Sequence, residues 1–119
     1  MSIEALWTVS FASNLGISGA GVVVFETGRL FGGDPDYIYL GKYDVTPDGQ
    51  KLTGEVDVSN HSGRLSSIFG GLSDFKLKIE GTVPKSDAIG TTVQASGHLD
   101  GNHAFQIALT LTKRAQLPP

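Results

Sequence analysis

Hydrophobic and polar residues alternate with a period of two along most of the chain. Trp7, Val9 and Phe11 share one face of a first strand, with Thr8 and Ser10 on the other. Leu52, Val56 and Val58 oppose Thr53, Glu55 and Asp57, and Phe75, Leu77 and Ile79 oppose Asp74, Lys76, Lys78 and Glu80. Val93, Ala95, Gly97 and Leu99 oppose Thr92, Gln94, Ser96 and His98. Phe105, Ile107, Leu109 and Leu111 oppose Gln106, Thr110 and Thr112. Successive side chains of a strand point to opposite faces, so each run has one face for a core and one for water. Antiparallel sheets packed on one side carry this pattern. The predicted core is Trp7, Val9, Phe11, Leu77, Ile79, Ile107 and Leu109.

Turn residues punctuate the strands. Pro47-Asp48-Gly49 joins a strand ending near Tyr43 to one beginning near Lys51, with Pro presetting φ and Gly accepting positive φ. Asp100-Gly101-Asn102 separates the last two strands, and Asn14-Leu15-Gly16 and Thr27-Gly28 mark earlier ones. Gly41, Gly54 and Gly97 fall inside strand patterns, where glycine marks bulges or tight bends.

Two features break the alternation. Between Gly63 and Leu72 the apolar residues Leu65, Ile68, Phe69 and Leu72 recur at helical spacing, which predicts a short amphipathic helix ended by Gly70-Gly71, placed as a lid or plug at one barrel mouth. Val22 to Phe25 and Tyr37 to Leu40 are apolar on both faces. A barrel strand has one interior side, so one set of each must point outward. Ile38 and Leu40 then lie beside Val23 and Phe25, or beside Val22 and Val24. The set Val23, Phe25, Ile38 and Leu40 is the candidate dimer face, with coverage by the Gly63–Leu72 segment as the competing explanation.

About seven or eight short strands in sequential hairpins predict an all-β fold, a small up-and-down antiparallel barrel of the lipocalin or avidin (calycin-like) type with one short helix. A two-sheet sandwich is the competing architecture. The 119 residues make one domain, with residues 115–119 expected to be a loose tail.

Composition narrows the function. There is no cysteine, hence no disulfide, thiol nucleophile or thiolate metal site. Twelve acidic residues against nine basic give a net charge of −3, which disfavours direct nucleic-acid binding. Met1 to Glu4 carries an acid and no basic residue, and Thr8 and Ser10 interrupt the run from Leu6 to Ala12, so no secretory signal is expected there; the longest apolar run, Ala20 to Phe25, falls far short of the ~20 residues that span a bilayer. The expectation is a cytoplasmic protein without membrane partners.

No constellation reads as catalytic. His98 and His103 lack a third ligand for a metal. Asp34 and Asp36 flank Pro35, a turn arrangement rather than an acid pair. Ser66 and Ser67 have no nucleophile elbow, and Arg29 to Gly33 is no phosphate loop, since no Lys-Ser/Thr follows. The chain reads as a non-enzyme without cofactor. Trp7, Phe11, Tyr37, Tyr39 and Tyr43 are the aromatic residues expected to line the interior if it holds a small apolar ligand.

The segment Ser10 to Tyr43 resembles the GrlR family. The resemblance is carried by Phe11, Ser13 and Asn14, by Gly21 to Val24, by Gly32-Gly33-Asp34 and Tyr39-x-Gly41, and by the ending Leu111 to Ala115. It implies a lipocalin-type barrel that dimerises. It also implies a negative regulator of type III secretion gene expression that binds a helix-turn-helix transcription activator. In the family's namesake an acidic loop after the third strand serves that contact. Here the corresponding turn, Asp44 to Gly49, keeps Asp44 and Asp48 as the candidate partner-binding acids. Two functions are therefore expected: a regulatory protein-binding module, or a barrel holding a small apolar ligand. A packed interior would remove the second.

Overall fold

The computed structural model describes residues 3–65 and 67–119; Met1, Ser2 and Ser66 lie outside them. Eight antiparallel strands follow one another around a closed barrel: β1 (Ala5–Ser13), β2 (Ser18–Glu26), β3 (Arg29–Gly33), β4 (Tyr37–Val45), β5 (Lys51–Asn60), β6 (Asp74–Thr82), β7 (Thr92–Leu99) and β8 (Asn102–Ala115). Each strand pairs with the next, and β8 closes on β1 with Val9 opposite Leu111. Closure leaves no free sheet edge. Ala115, expected to open the tail, instead pairs with Leu6 at the end of β8. Among the described residues no helix is long and apolar enough to cross a membrane.

The alternation places the core as expected. Trp7, Val9, Leu77 and Ile107 are buried, and Phe11, Ile79 and Leu109 pack against them half-buried. The outer faces of β4, β5 and β6 carry a charge ladder. Glu55 stands opposite Lys42 on one side and Lys78 on the other, and Asp57 stands opposite Lys76. Lys78 Nζ donates to Glu55, while the Lys42–Glu55 and Lys76–Asp57 pairs are looser at 3.8 Å.

The turns fall where the glycines predicted them. Thr27 and Gly28 both have positive φ, 50° and 80°, the two-residue hairpin geometry that matches strand twist. At the Pro47 turn Gly49 N donates to Thr46 O at 2.8 Å.

Among the described residues of Gly63–Leu72 the expected helix does not form. Ser67 Oγ donates to Gly70 O at 2.6 Å and accepts from Phe69 N at 3.2 Å, and Ser67 and Gly70 form an isolated bridge. These local bonds compete with a helical turn, and Gly70, at φ 86°, reverses the chain. Apolar spacing without propensity does not sustain one or two turns of helix. The segment nonetheless sits at one barrel mouth, as expected of a lid or plug, with Ile68 and Phe69 buried there.

The strands of Val22–Phe25 and Tyr37–Leu40, expected side by side, are not neighbours. The five-residue β3 lies between them, pairing Val24 with Phe31 and Phe31 with Leu40.

Candidate functional site

The barrel has a closed end and a mouth. At the closed end the indole of Trp7 is 0 % exposed, and its Nε1 donates to Ile3 O at 2.9 Å, pinning the segment before β1 across the opening. Phe25 packs edge-on against Tyr43, with ring centroids 5.2 Å apart. Lys113 points inward there, buried, and its Nζ donates to Asp87 O at 2.9 Å. Burial pushes the Tyr43 phenol above its ordinary value, with the Gly28 backbone hydrogen bond acting the other way.

Above this floor the interior is not filled. A cavity of about 520 Å³ runs from Phe25 and Leu111 up to the mouth, with walls including Val9, Val23, Val56, Leu77 and Ile107. Ligand pockets span roughly 300–1,000 Å³, mostly apolar with a few placed polar groups. Its far limit is the rim formed by Ile17 to Ala20, the Asp34-Pro35-Asp36 turn, and Ser67 and Ile68.

The segment between β5 and β6 folds over that rim. Ile68 and Phe69 are buried, and Phe69 stacks edge-on against Phe75 at 5.7 Å and lies 5.5 Å from Phe105. Ser13 Oγ donates to Ile68 O at 2.5 Å, and Tyr37 Oη donates to Leu72 O at 2.7 Å. Arg64 Nη2 lies 3.0 Å from Asp36 Oδ1. The plug is thus held by β1, by β4 and by the β3–β4 turn.

The polar centre of the mouth is Asp34. Its Oδ1 accepts from Asp36 N at 2.9 Å and Tyr37 N at 2.7 Å, closing the turn around Pro35. Its Oδ2 accepts from Tyr39 Oη. Burial, reinforced by the Asp34 hydrogen bond and charge, pushes the Tyr39 phenol far above its ordinary value of 10.0, so it stays a neutral donor. Gly21 allows the contact: a Cβ there would stand 2.7 Å from Tyr39 Oη. His61 Nε2 donates to the Asp34 carbonyl at 3.0 Å. The sequence showed Asp34 as a turn residue and Tyr39 as an interior aromatic; their joining across the mouth had no sequence signal beyond the glycine at position 21.

Of the five aromatics expected to line the interior, Phe11, Tyr37 and Tyr39 do. Trp7 and Tyr43 do not: they pack into the closed end, one fixed by Ile3 and the other shielded by Phe25. The candidate dimer face is corrected likewise. Val23 and Phe25 point inward and are buried, because Tyr39 and Tyr43 set the inward phase of β4 and closure imposes the same phase on β2. The outward partners of Ile38 and Leu40 are Val22, Val24 and Phe31. Val22 (42 %), Phe31 (37 %), Ile38 (41 %) and Leu40 (55 %) are exposed, so the plug does not cover them.

Asp44 is exposed on β4. Asp48 accepts from Thr46 Oγ1 and from Gln50 N at 3.0 Å, bonds that hold its carboxyl below the ordinary value, the Thr46 contact most. His98 and His103 stack face to face with centroids 3.9 Å apart, on the outer wall beside the β7–β8 turn and outside the cavity lining. Ser67 binds the plug's own backbone, and Ser66 lies outside the described residues.

Fold and cavity define a closed eight-stranded antiparallel barrel with an apolar chamber open at one end. No protein-family model matches the sequence, and no curated protein matches it either.

Proposed function

We propose that this protein is a non-enzymatic barrel that binds one small apolar molecule in its interior. The observation that carries the reading is the cavity of about 520 Å³, walled by core side chains rather than filled by them. An interior that serves only stability is packed close to crystal density. This one keeps its walls apart, is sealed at the Trp7 end, and is roofed by a segment tied down at a few points. Titration with the neutral fluorescent probe N-phenyl-1-naphthylamine tests it. Saturation at one probe per chain, reversed by 1-decanol, supports the reading; no saturable binding refutes it.

A second reading is favoured by the outer band Val22, Phe31, Ile38 and Leu40. An exposed, contiguous apolar face on the outer wall of a barrel marks a protein contact. In this reading the chain is a cytoplasmic regulator of GrlR type. The band serves a homodimer, and the barrel restrains a helix-turn-helix transcription activator of type III secretion genes. The Asp44–Gly49 turn contributes little to such a contact, since Asp48 is engaged within its own turn. Sedimentation velocity on wild type and on Ile38→Lys/Leu40→Lys tests the band: a wild-type dimer that the lysines dissociate supports it. A monomeric wild type at micromolar concentration refutes it.

A further inference from the structure

The cavity's charged groups are of one sign, and they specify the head group of its occupant. The charged residues bordering it are Asp34 and Asp36 at the mouth and Glu80, whose side chain belongs to the exposed outer face of β6; among the described residues no Lys, Arg or His lines it. The wall hydroxyls are largely committed to the protein. Tyr39 Oη donates to Asp34, Tyr37 Oη to Leu72 O, and Ser67 Oγ to Gly70 O. Among the described residues Ser18, on the exposed rim, is the other hydroxyl of the wall. Asp34 itself has acceptor capacity left: a carboxylate offers about four lone-pair sites, and the bonds from Asp36 N, Tyr37 N and Tyr39 Oη occupy three.

We propose that the cavity takes an amphiphile with an apolar body and a hydrogen-bond-donating head that carries no negative charge, a long-chain alcohol or amine, with the head at Asp34. The proposal rests on the ligand-binding reading above and names the ligand class. A fatty acid fits the apolar walls equally well but brings its carboxylate to Asp34 and Asp36. It would find no cation on the wall itself, since the Arg64 guanidinium at the rim is already paired with Asp36, and few uncommitted donors; a charge taken out of water without a partner is strongly disfavoured. A hydroxyl or ammonium head meets an acceptor instead, and a charge-assisted bond to a carboxylate is among the stronger hydrogen bonds.

The test compares three ligands of equal chain length, 1-decanol, decylamine and decanoic acid, as competitors of N-phenyl-1-naphthylamine at pH 7.4. Decanol and decylamine should compete at least about tenfold better than decanoate. Asp34→Asn keeps the Oδ1 acceptor of the turn and removes the charge, so it should bring the amine-to-acid ratio close to one while decanol changes little. Tyr39→Phe frees a lone pair on Asp34 and should keep or widen that ratio, whereas a mere change of cavity shape would move all three ligands together. If Asp34→Asn does not fold, Tyr39→Phe carries the test alone. Decanoate competing as well as decylamine, or a ratio that Asp34→Asn leaves unmoved, overturns the proposal and leaves the binding reading standing. No competition by any of the three overturns both.

Discussion

Replacing Trp7 with phenylalanine tests how the closed end of the barrel is held. The indole is fully buried, and its Nε1 bonds the carbonyl of Ile3, which is buried as well. Phenyl in place of indole withdraws on the order of 40 Å² of buried apolar surface, about 1 kcal/mol at roughly 25 cal/mol per Å². Losing the donor leaves the Ile3 carbonyl unsatisfied in an apolar setting, a cost of about 1–3 kcal/mol. Together these predict a loss of about 2–4 kcal/mol, a large share of the stability of a small domain. Urea unfolding followed by far-ultraviolet circular dichroism measures it, since the variant lacks the chain's single tryptophan. The companion change is Phe11→Leu, at a half-buried position on the cavity wall. With space already beside the ring, it should cost less than about 1.5 kcal/mol. A loss below about 0.5 kcal/mol for Trp7→Phe, or one no larger than that of Phe11→Leu, would refute a sealed, packed floor beneath an open chamber.

Three further outcomes follow from the same geometry. Val9→Phe places a ring into the cavity; it should leave stability equal or raise it by about 0.5–2 kcal/mol while weakening probe binding more than about tenfold, and loss of stability with unchanged binding would contradict the chamber. Gly41→Ala should destabilise by at least about 1–3 kcal/mol, because its Cβ would stand 2.0 Å from the Glu55 carbonyl oxygen of the paired strand; a neutral change in urea midpoint would show that the strands do not approach so closely. The Lys78 hydrogen bond holds the Glu55 carboxyl below its ordinary value of 4.5 and lifts the Lys78 ammonium above 10.5. A depressed carboxyl adds stability above pH 4.5 that disappears as pH falls through the lower folded value, and the raised lysine adds stability below pH 10.5 that disappears as pH rises through the higher folded value. Wild type should therefore lose more of its urea midpoint between pH 5 and pH 2 than Glu55→Gln does, and equal losses would mean that the exposed pair contributes nothing.

Much of the barrel was legible because a single rule, alternation, governs most of its strands. Leu52, Val56 and Val58, or Phe75, Leu77 and Ile79, need no neighbour to declare their inward face. β3 escaped for a physical reason: Arg29 to Gly33 is five residues long and ends in two glycines, so it offers too few side chains to show a period. Because β3 lies between β2 and β4, Phe31 joins the outer band and separates Val24 from Leu40. The phase of β2 was ambiguous because Val22, Val23, Val24 and Phe25 are all apolar, and only ring closure decides between them. At Gly63–Leu72 the helical spacing was real but the glycines and Ser67 favoured a turn. The chamber was the least legible feature of all. Apolar wall residues read identically in sequence whether they meet across the barrel or stand apart, and the bond between Asp34 and Tyr39 depends on strand register.

Methyl-resolved NMR during titration with 1-decanol tests the central claim most directly. The valine, leucine and isoleucine methyls of the inner wall (Val9, Val23, Val56, Leu77 and Ile107) and those of the outer band (Val22, Ile38 and Leu40) report the two faces of the same sheet separately. Binding inside the barrel predicts saturable shifts of the inner methyls at one decanol per chain, with the outer methyls unmoved. Shifts confined to Val22, Ile38 and Leu40, or no saturable shift on the inner wall, would contradict it.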